Sequence, residues 1–114
     1  MAKIDRHRVH AKYNGHCSYC GKVISIKDMQ VDHIVPKRQG GSDHLINLNP
    51  SCRRCNHYKR AYRLDRYREL SAKLHLKVQG MYLCKTAEDY GIIKVDPWDG
   101  KFYFEKHGEA DQLG

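Results

Sequence analysis

Long apolar runs are missing from this 114-residue chain, which has three prolines, two phenylalanines and a single tryptophan. Nothing approaches the roughly 20 apolar residues that a helix needs to cross a bilayer, so no membrane-spanning segment is expected. Residues 1–6 contain no apolar core of a signal peptide, so nothing there predicts export. We therefore expect a cytoplasmic protein, in which disulfides are rare.

Cysteines are present, and four of the five form two C-x-x-C pairs. Cys17 and Cys20 make the first pair, and Cys52 and Cys55 make the second. Two such pairs complete the four-coordinate shell of a structural zinc. The alternatives are disulfides and a thioredoxin-like redox pair, but the sequence has neither an export segment nor the βαβ context of that redox site. Cys84 stands alone, and we expect it to be a buried small hydrophobe.

Charge separates two parts of the chain. Residues 1–79 contain 17 Lys and Arg against 6 Asp and Glu, a net charge of +11, whereas residues 80–114 contain 4 against 7, a net charge of −3. We predict a zinc-stabilised domain over residues 1–79 and an appendage over residues 80–114. Concentrated positive charge favours a polyanionic partner, most commonly nucleic acid, and a merely solvated basic surface is the alternative.

The pattern of apolar residues predicts an α+β fold. Residues 3–13 are predicted to form a short basic helix, and residues 22–26 and 29–35 two short strands. Residues 44–50 are a short, partly apolar segment that turns at its end. No Pro or Gly interrupts residues 55–78, so one long basic helix is predicted there. Residues 92–95 and 101–105 are predicted to form a β-hairpin tail.

Between the cysteine pairs lie residues suited to phosphodiester hydrolysis, which requires a base and stabilisation of the charge that develops on oxygen. His33 is the natural base, because its ordinary pKa is close to neutral pH. Asp32 and Asn56 offer the hard oxygen ligands that Mg²⁺ prefers. Asn47 can accept a hydrogen bond from the imidazole. Neighbours on a strand point to opposite faces, so Asp32 and His33 can share a site only where the strand ends or bends.

This order of zinc knuckles, Asp-His pair, glycine loop and asparagines resembles the HNH endonuclease family, whose fold is called ββα-metal. The resemblance covers residues 17–60. It implies a divalent-metal-dependent endonuclease that hydrolyses DNA, with His33 as general base and Asn47 orienting it. Asp32 and Asn56 would hold a catalytic Mg²⁺ or Mn²⁺ that bridges a phosphate oxygen and the leaving 3′ oxygen. The product would carry a 5′ phosphate.

Helical spacing favours Asn56 over its neighbour His57 as the second ligand of the catalytic metal. Asn56, Lys59, Arg60 and Arg63 are spaced i, i+3, i+4 and i+7, so the three cations are predicted to bind DNA phosphates beside the metal. His57 lies about 100° away around a helix. A solvated helix face is the alternative interpretation of these cations.

Other assignments remain open. The histidines without such a context are expected at the surface, and His16 and His44 lie nearest the site in sequence and could contact substrate or a spare metal. Tyr58, Tyr62 and Tyr67 are interpreted as core residues rather than base-stacking platforms. The rival function is a non-catalytic, zinc-stabilised nucleic-acid-binding module. Nicking is the predicted activity, with a homodimer or a partner protein that directs cleavage as further possibilities.

Overall fold

The computed structural model describes residues 3–107. The chain forms two compact units, one of which runs up to Leu64 and resumes at Phe102, while the other comprises Asp65–Lys101. This division differs from the boundary predicted between residues 79 and 80. Among the described residues, no helix is long and apolar enough to cross a membrane.

The first unit is an α+β structure around a two-stranded antiparallel sheet. Its elements are α1 (Arg6–Ala11), β1 (Gln30–His33), β2 (Leu48–Ser51) and α2 (Arg53–Lys59), with 3-10 turns at Lys37–Gln39 and Leu45–Asn47. The side chain of Asp5 caps α1 by accepting hydrogen bonds from the amides of His7 and Arg8. In the sheet, Asp32 pairs with Asn49 and His33 with Leu48. The predicted fold class is thereby confirmed.

The strand predictions are partly wrong. Residues 22–26 form no strand and contribute only an isolated bridge between His16 and Val23. The second predicted strand is shortened to Gln30–His33, and its partner β2 contains Pro50, which sequence reasoning had assigned to a turn. Proline is tolerated there because both strands of a two-stranded sheet are edges, so a missing N–H need not break a ladder.

The single long helix predicted over residues 55–78 is also wrong. The chain instead forms α2, then α3 (Leu64–Ser71) and α4 (Leu74–Gln79). The first interruption lies at Arg60, whose φ of 52° is left-handed and incompatible with an α-helix. In the turn that follows, the amine of Lys59 donates to the carbonyl of Tyr62 at 2.9 Å. A break that depends on such a side-chain contact needs neither proline nor glycine.

The predicted β-hairpin tail is absent from the described residues. The second unit contains α5 (Tyr82–Asp89), on which Cys84 is buried as expected, and residues 92–95 are irregular. Residues 103–107 are helical and belong to the first unit. Phe102 and Phe104 meet the ring of Tyr19 edge-on, with ring centroids 5.2 and 5.9 Å apart. The tail therefore packs against the first cysteine knuckle.

Candidate functional site

The two cysteine pairs converge on one point. The sulfurs of Cys17, Cys20, Cys52 and Cys55 all lie within 4.8 Å of one another, and those of Cys20 and Cys52 are 3.9 Å apart. Four sulfurs bound about 2.3 Å from one ion at tetrahedral angles would stand about 3.8 Å apart. Backbone amides of Cys52 and Cys55 point at the sulfurs of Cys17 and Cys52. The cluster fits a tetrahedral metal ion such as zinc.

Thiol ionisation supports this fit. The hydrogen bond with Cys55 lowers the pKa of the Cys17 thiol to about 4, and the same hydrogen bond raises the pKa of Cys55 above its ordinary value. Burial raises the pKa of Cys20. Without a cation, the cluster thus favours one thiolate at the expense of its neighbours. A bound divalent cation is what allows such closely packed thiols to ionise together.

A groove beside the sheet brings the predicted catalytic residues together. Asp32, His33 and Asn56 all line it, together with Lys37 and Arg60. β1 ends at His33, which meets the requirement that the strand ends where Asp32 and His33 share a site. The groove thus joins residues from the end of β1, the loop after it and α2.

Asp32 is deeply placed in this groove, with 4% of its side chain exposed. One carboxylate oxygen pairs with the Lys59 amine at 3.1 Å, and the other accepts a hydrogen bond from the hydroxyl of Tyr19. Burial raises the pKa of Asp32 above its ordinary value, and the opposing effect of Lys59 is smaller. Each oxygen keeps a second lone pair, so the carboxylate retains capacity for a metal ion.

Lys59 does not have the position that its predicted role requires. Its side chain is fully buried, and its amine donates to the carbonyls of His33 and Tyr62 as well as pairing with Asp32. A buried, ion-paired amine cannot neutralise a phosphate on the surface. The predicted phosphate contact of Lys59 is therefore corrected to a structural one, in which Lys59 ties α2 to the end of β1.

His33 has an acidic partner that sequence reasoning missed. Its Nε2 lies 2.8 Å from a carboxylate oxygen of Asp43, whose other oxygen is 3.2 Å from the amine of Lys37. The hydrogen bond with His33 is the main cause that lowers the pKa of Asp43, which is therefore ionised at neutral pH. An aspartate ten residues from the base, after a glycine loop, gives no pattern that distinguishes it from a turn residue.

Asn47 lies close to this pair but does not contact the imidazole in the way predicted. Its side-chain amide donates to the carbonyls of Val35 and Ser42 at 3.1 and 2.8 Å, and its oxygen accepts from the amide of Val35 at 2.9 Å. Asn47 therefore closes the loop between β1 and β2. At Gly41 there is no room for a side chain, because a Cβ would lie 1.7 Å from the oxygen of Val35.

Asn56 and His57 occupy different places. Asn56 is half-buried, and its side chain makes no hydrogen bond within the described part of the chain. His57 is exposed and does not line the groove of Asp32 and His33. It lines a neighbouring groove with Lys22, Lys27 and Arg53, and Asn56 lines both grooves. Of the two candidate ligands, Asn56 is the one that shares a groove with Asp32.

The other residues considered for substrate binding mostly lie outside the two grooves. The imidazole of His16 is bonded to the carbonyl of Gly21 within the first knuckle, and His44 is exposed outside both grooves. Tyr67 is buried as expected, whereas the side chain of Tyr58 is exposed. Arg63 is exposed and lines neither groove. The substrate roles considered for His16 and His44 gain no support from these positions.

Residues 17–61 match the family profile described as HNH endonuclease. Over 59 residues the chain is 37% identical to the CRISPR-associated endonuclease Cas9 of Corynebacterium diphtheriae. The matched stretch covers 51% of this chain and 5% of that Cas9. The crystal structure of the type II-C Cas9 enzyme from Actinomyces naeslundii superposes with a TM-score of 0.52 and 26% identity, over 75% of this chain and 10% of that one.

The segment that holds the cysteine cluster and the groove matches the HNH endonuclease family. The resemblance inferred from the Asp-His pair and the two knuckles is thereby confirmed. The chain spans only a small fraction of the length of these two Cas9 relatives.

Proposed function

We propose that this protein is a divalent-metal-dependent endonuclease that hydrolyses DNA, with a structural zinc in its cysteine cluster. The observation that carries the proposal is the groove in which Asp32, His33 and Asn56 meet, with Asn56 following Cys55 of the cysteine cluster in sequence. A pure binding module needs cations in the groove but has no need of an imidazole whose Nε2 is held 2.8 Å from a carboxylate.

In this proposal His33 is the general base. Its Nε2 is hydrogen-bonded to the carboxylate of Asp43, so Nδ1 is the ring nitrogen that takes a proton from water. Asp32 and Asn56 would hold the catalytic Mg²⁺ or Mn²⁺, which supplies positive charge to the scissile phosphate and its leaving 3′ oxygen. Arg60, on the groove wall, binds the phosphate backbone.

Beyond the scissile phosphate, DNA is contacted by basic side chains that make no ion pair within the described residues. Lys22, Lys27 and Arg53 line the neighbouring groove, and none of them is ion-paired within the described ranges. Because Asn56 lines both grooves, one DNA strand can pass from the first into the second. Arg63, exposed after α2, remains a predicted phosphate contact.

Nicking is the cleavage mode that we propose, since one groove with one base serves one strand at a time. The Cas9 relatives contain a matching segment within far longer chains, and this favours cleavage directed by a partner protein or further domains. A homodimer is the alternative means of presenting two sites.

Supercoiled plasmid incubated with the protein tests the proposal. Conversion to the open circular form with Mg²⁺ or Mn²⁺, and its absence with EDTA, is the expected result. Binding of plasmid with no strand breakage under any of these conditions would favour the non-catalytic module.

Asn56→Ala should raise the Mg²⁺ concentration needed for half-maximal cleavage, because the amide carbonyl is a hard ligand in the groove of Asp32. His57→Ala is the matched control and should leave that concentration unchanged. The measurement is plasmid nicking over a titration of Mg²⁺. If His57→Ala is instead the damaging change, with Ni²⁺ or Co²⁺ far better than Mg²⁺, the register of the metal ligand is one residue later.

Arg60→Ala should weaken DNA binding and flatten its dependence on salt. Each neutralised phosphate contributes a slope of about −0.9 in log K against log salt on duplex DNA, so the loss should reach up to about one unit. Lys85→Ala, which removes an exposed charge on α5, should leave the slope as it is. Fluorescence anisotropy in EDTA separates binding from cleavage, and an unchanged slope for Arg60→Ala would exclude Arg60 from the DNA interface.

A further inference from the structure

The loop between β1 and β2 carries the acidic partner of His33. Asn47 bonds both ends of this loop, at Val35 and Ser42, and Asp43 follows directly. The amide of Gly41 also donates to the carbonyl of Pro36 at 3.0 Å. The loop is thus held by side-chain and backbone bonds, and the carboxylate of Asp43 is brought to the imidazole rather than left in solvent.

The geometry dictates which nitrogen of His33 carries the proton. An ionised carboxylate only accepts hydrogen bonds, so Nε2, 2.8 Å from Asp43, must be the donor. The neutral imidazole then has its proton on Nε2 and a free lone pair on Nδ1. Within the described residues, Nδ1 has no hydrogen-bond partner, so its lone pair is not consumed by the protein.

We propose that Asp43 is a positioning residue for His33, which fixes the proton on Nε2 and so leaves Nδ1 as the base, and that Asn47 acts by holding the loop that presents Asp43. The role of His33 as the base rests on the proposed function. Lys37 assists by occupying the second carboxylate oxygen of Asp43, which restricts rotation of that side chain. The sequence predicts that Asn47 orients the base directly. In this proposal Asn47 instead acts on His33 through the loop and Asp43.

The tautomer can be read without any cleavage assay. In two-bond ¹H–¹⁵N correlation spectra of the full chain, the neutral ring of His33 should show protonated Nε2 and unprotonated Nδ1. Comparison with His33→Gln identifies its signals among the eight histidines. Asp43→Ala should convert the ring to a mixture of tautomers, because no carboxylate then accepts a hydrogen bond from Nε2. An unchanged tautomer in Asp43→Ala would overturn the proposal.

A double-mutant cycle tests the consequence for turnover. Asp43→Ala should lower kcat by roughly 10- to 100-fold with little change in KM, the range found for outer partners of ligating histidines. In a His33→Ala background, the same change should cost nothing further, because Asp43 acts through the ring. An equal fold-loss in both backgrounds would show a merely structural role and contradict the proposal.

One control variant and the behaviour of the unmodified chain keep the outcomes separate. Asp96→Ala removes an exposed carboxylate from the second unit and should alter neither the tautomer nor kcat. Cleavage that is absent even from the unmodified chain would reject the proposed function, while the tautomer of His33 would still decide whether Asp43 positions the ring.

Discussion

His33→Ala should reduce DNA cleavage to a small residual rate while leaving DNA affinity within a few-fold of the original. General-base catalysis is typically worth about 10²- to 10⁴-fold in rate, and a base that acts on water adds little to binding of the ground state. The imidazole lies at the end of β1 and lines the groove, so its removal enlarges the groove. Single-turnover rates with Mg²⁺ and anisotropy in EDTA measure the two quantities separately.

The matched control is His7→Ala, which removes an exposed histidine on α1 that lies outside the groove. It should cleave at the original rate. Turnover of His33→Ala within a few-fold of the unmodified chain would remove His33 from the mechanism. Lost DNA affinity in parallel with lost cleavage would instead indicate damage to the fold or to the binding surface.

Removal of metal from the cysteine cluster should unfold the first unit. Structural zinc contributes roughly 10–16 kcal/mol of apparent binding free energy in small zinc domains, which is comparable with the whole stability of a domain. Cys17 is completely buried in the cluster, and Cys52 caps the N-terminus of α2. Cys52→Ser should therefore lose both bound zinc and a cooperative thermal transition.

Cys84→Ser provides the control, because Cys84 is buried on α5 outside the cluster. It should retain about one zinc per chain by elemental analysis, with only a modest fall in melting temperature. A Cys52→Ser protein with full zinc content and an unchanged transition, or disulfides within the cluster of the unmodified chain, would contradict the assignment.

Burial of Lys59 shows why a helix-face interpretation failed. Lys59 lies between Tyr58 and Arg60 in a strongly basic segment, and the sequence therefore predicts one of several solvent-exposed cations. Its actual partner is Asp32, 27 positions earlier, with which it forms a buried ion pair. Sequence periodicity describes one element at a time, so a contact between α2 and β1 lies outside its reach.

The tail illustrates the same limit. Alternating apolar residues around Phe102 and Phe104 favour a strand, yet this segment is helical from residue 103 and packs on Tyr19. Tyr19 in turn donates to Asp32 in the groove. Tertiary contact with the knuckle thus overrides a local preference that would otherwise have formed a hairpin.

The amino-acid sequence was sufficient to predict the α+β class, the four cysteines that cluster and the meeting of Asp32, His33 and Asn56, because ligand spacing and residue chemistry are local properties of the chain. Only the tertiary structure showed that Lys59 pairs with Asp32 and that Asp43 is hydrogen-bonded to His33. It also showed that Asn47 holds the loop between β1 and β2. These contacts join distant or irregular segments, and their geometry depends on where strands end and helices break. No residue pattern in the sequence predicts where these strands end or these helices break. At Arg60 the break occurs at a residue type that ordinarily continues a helix.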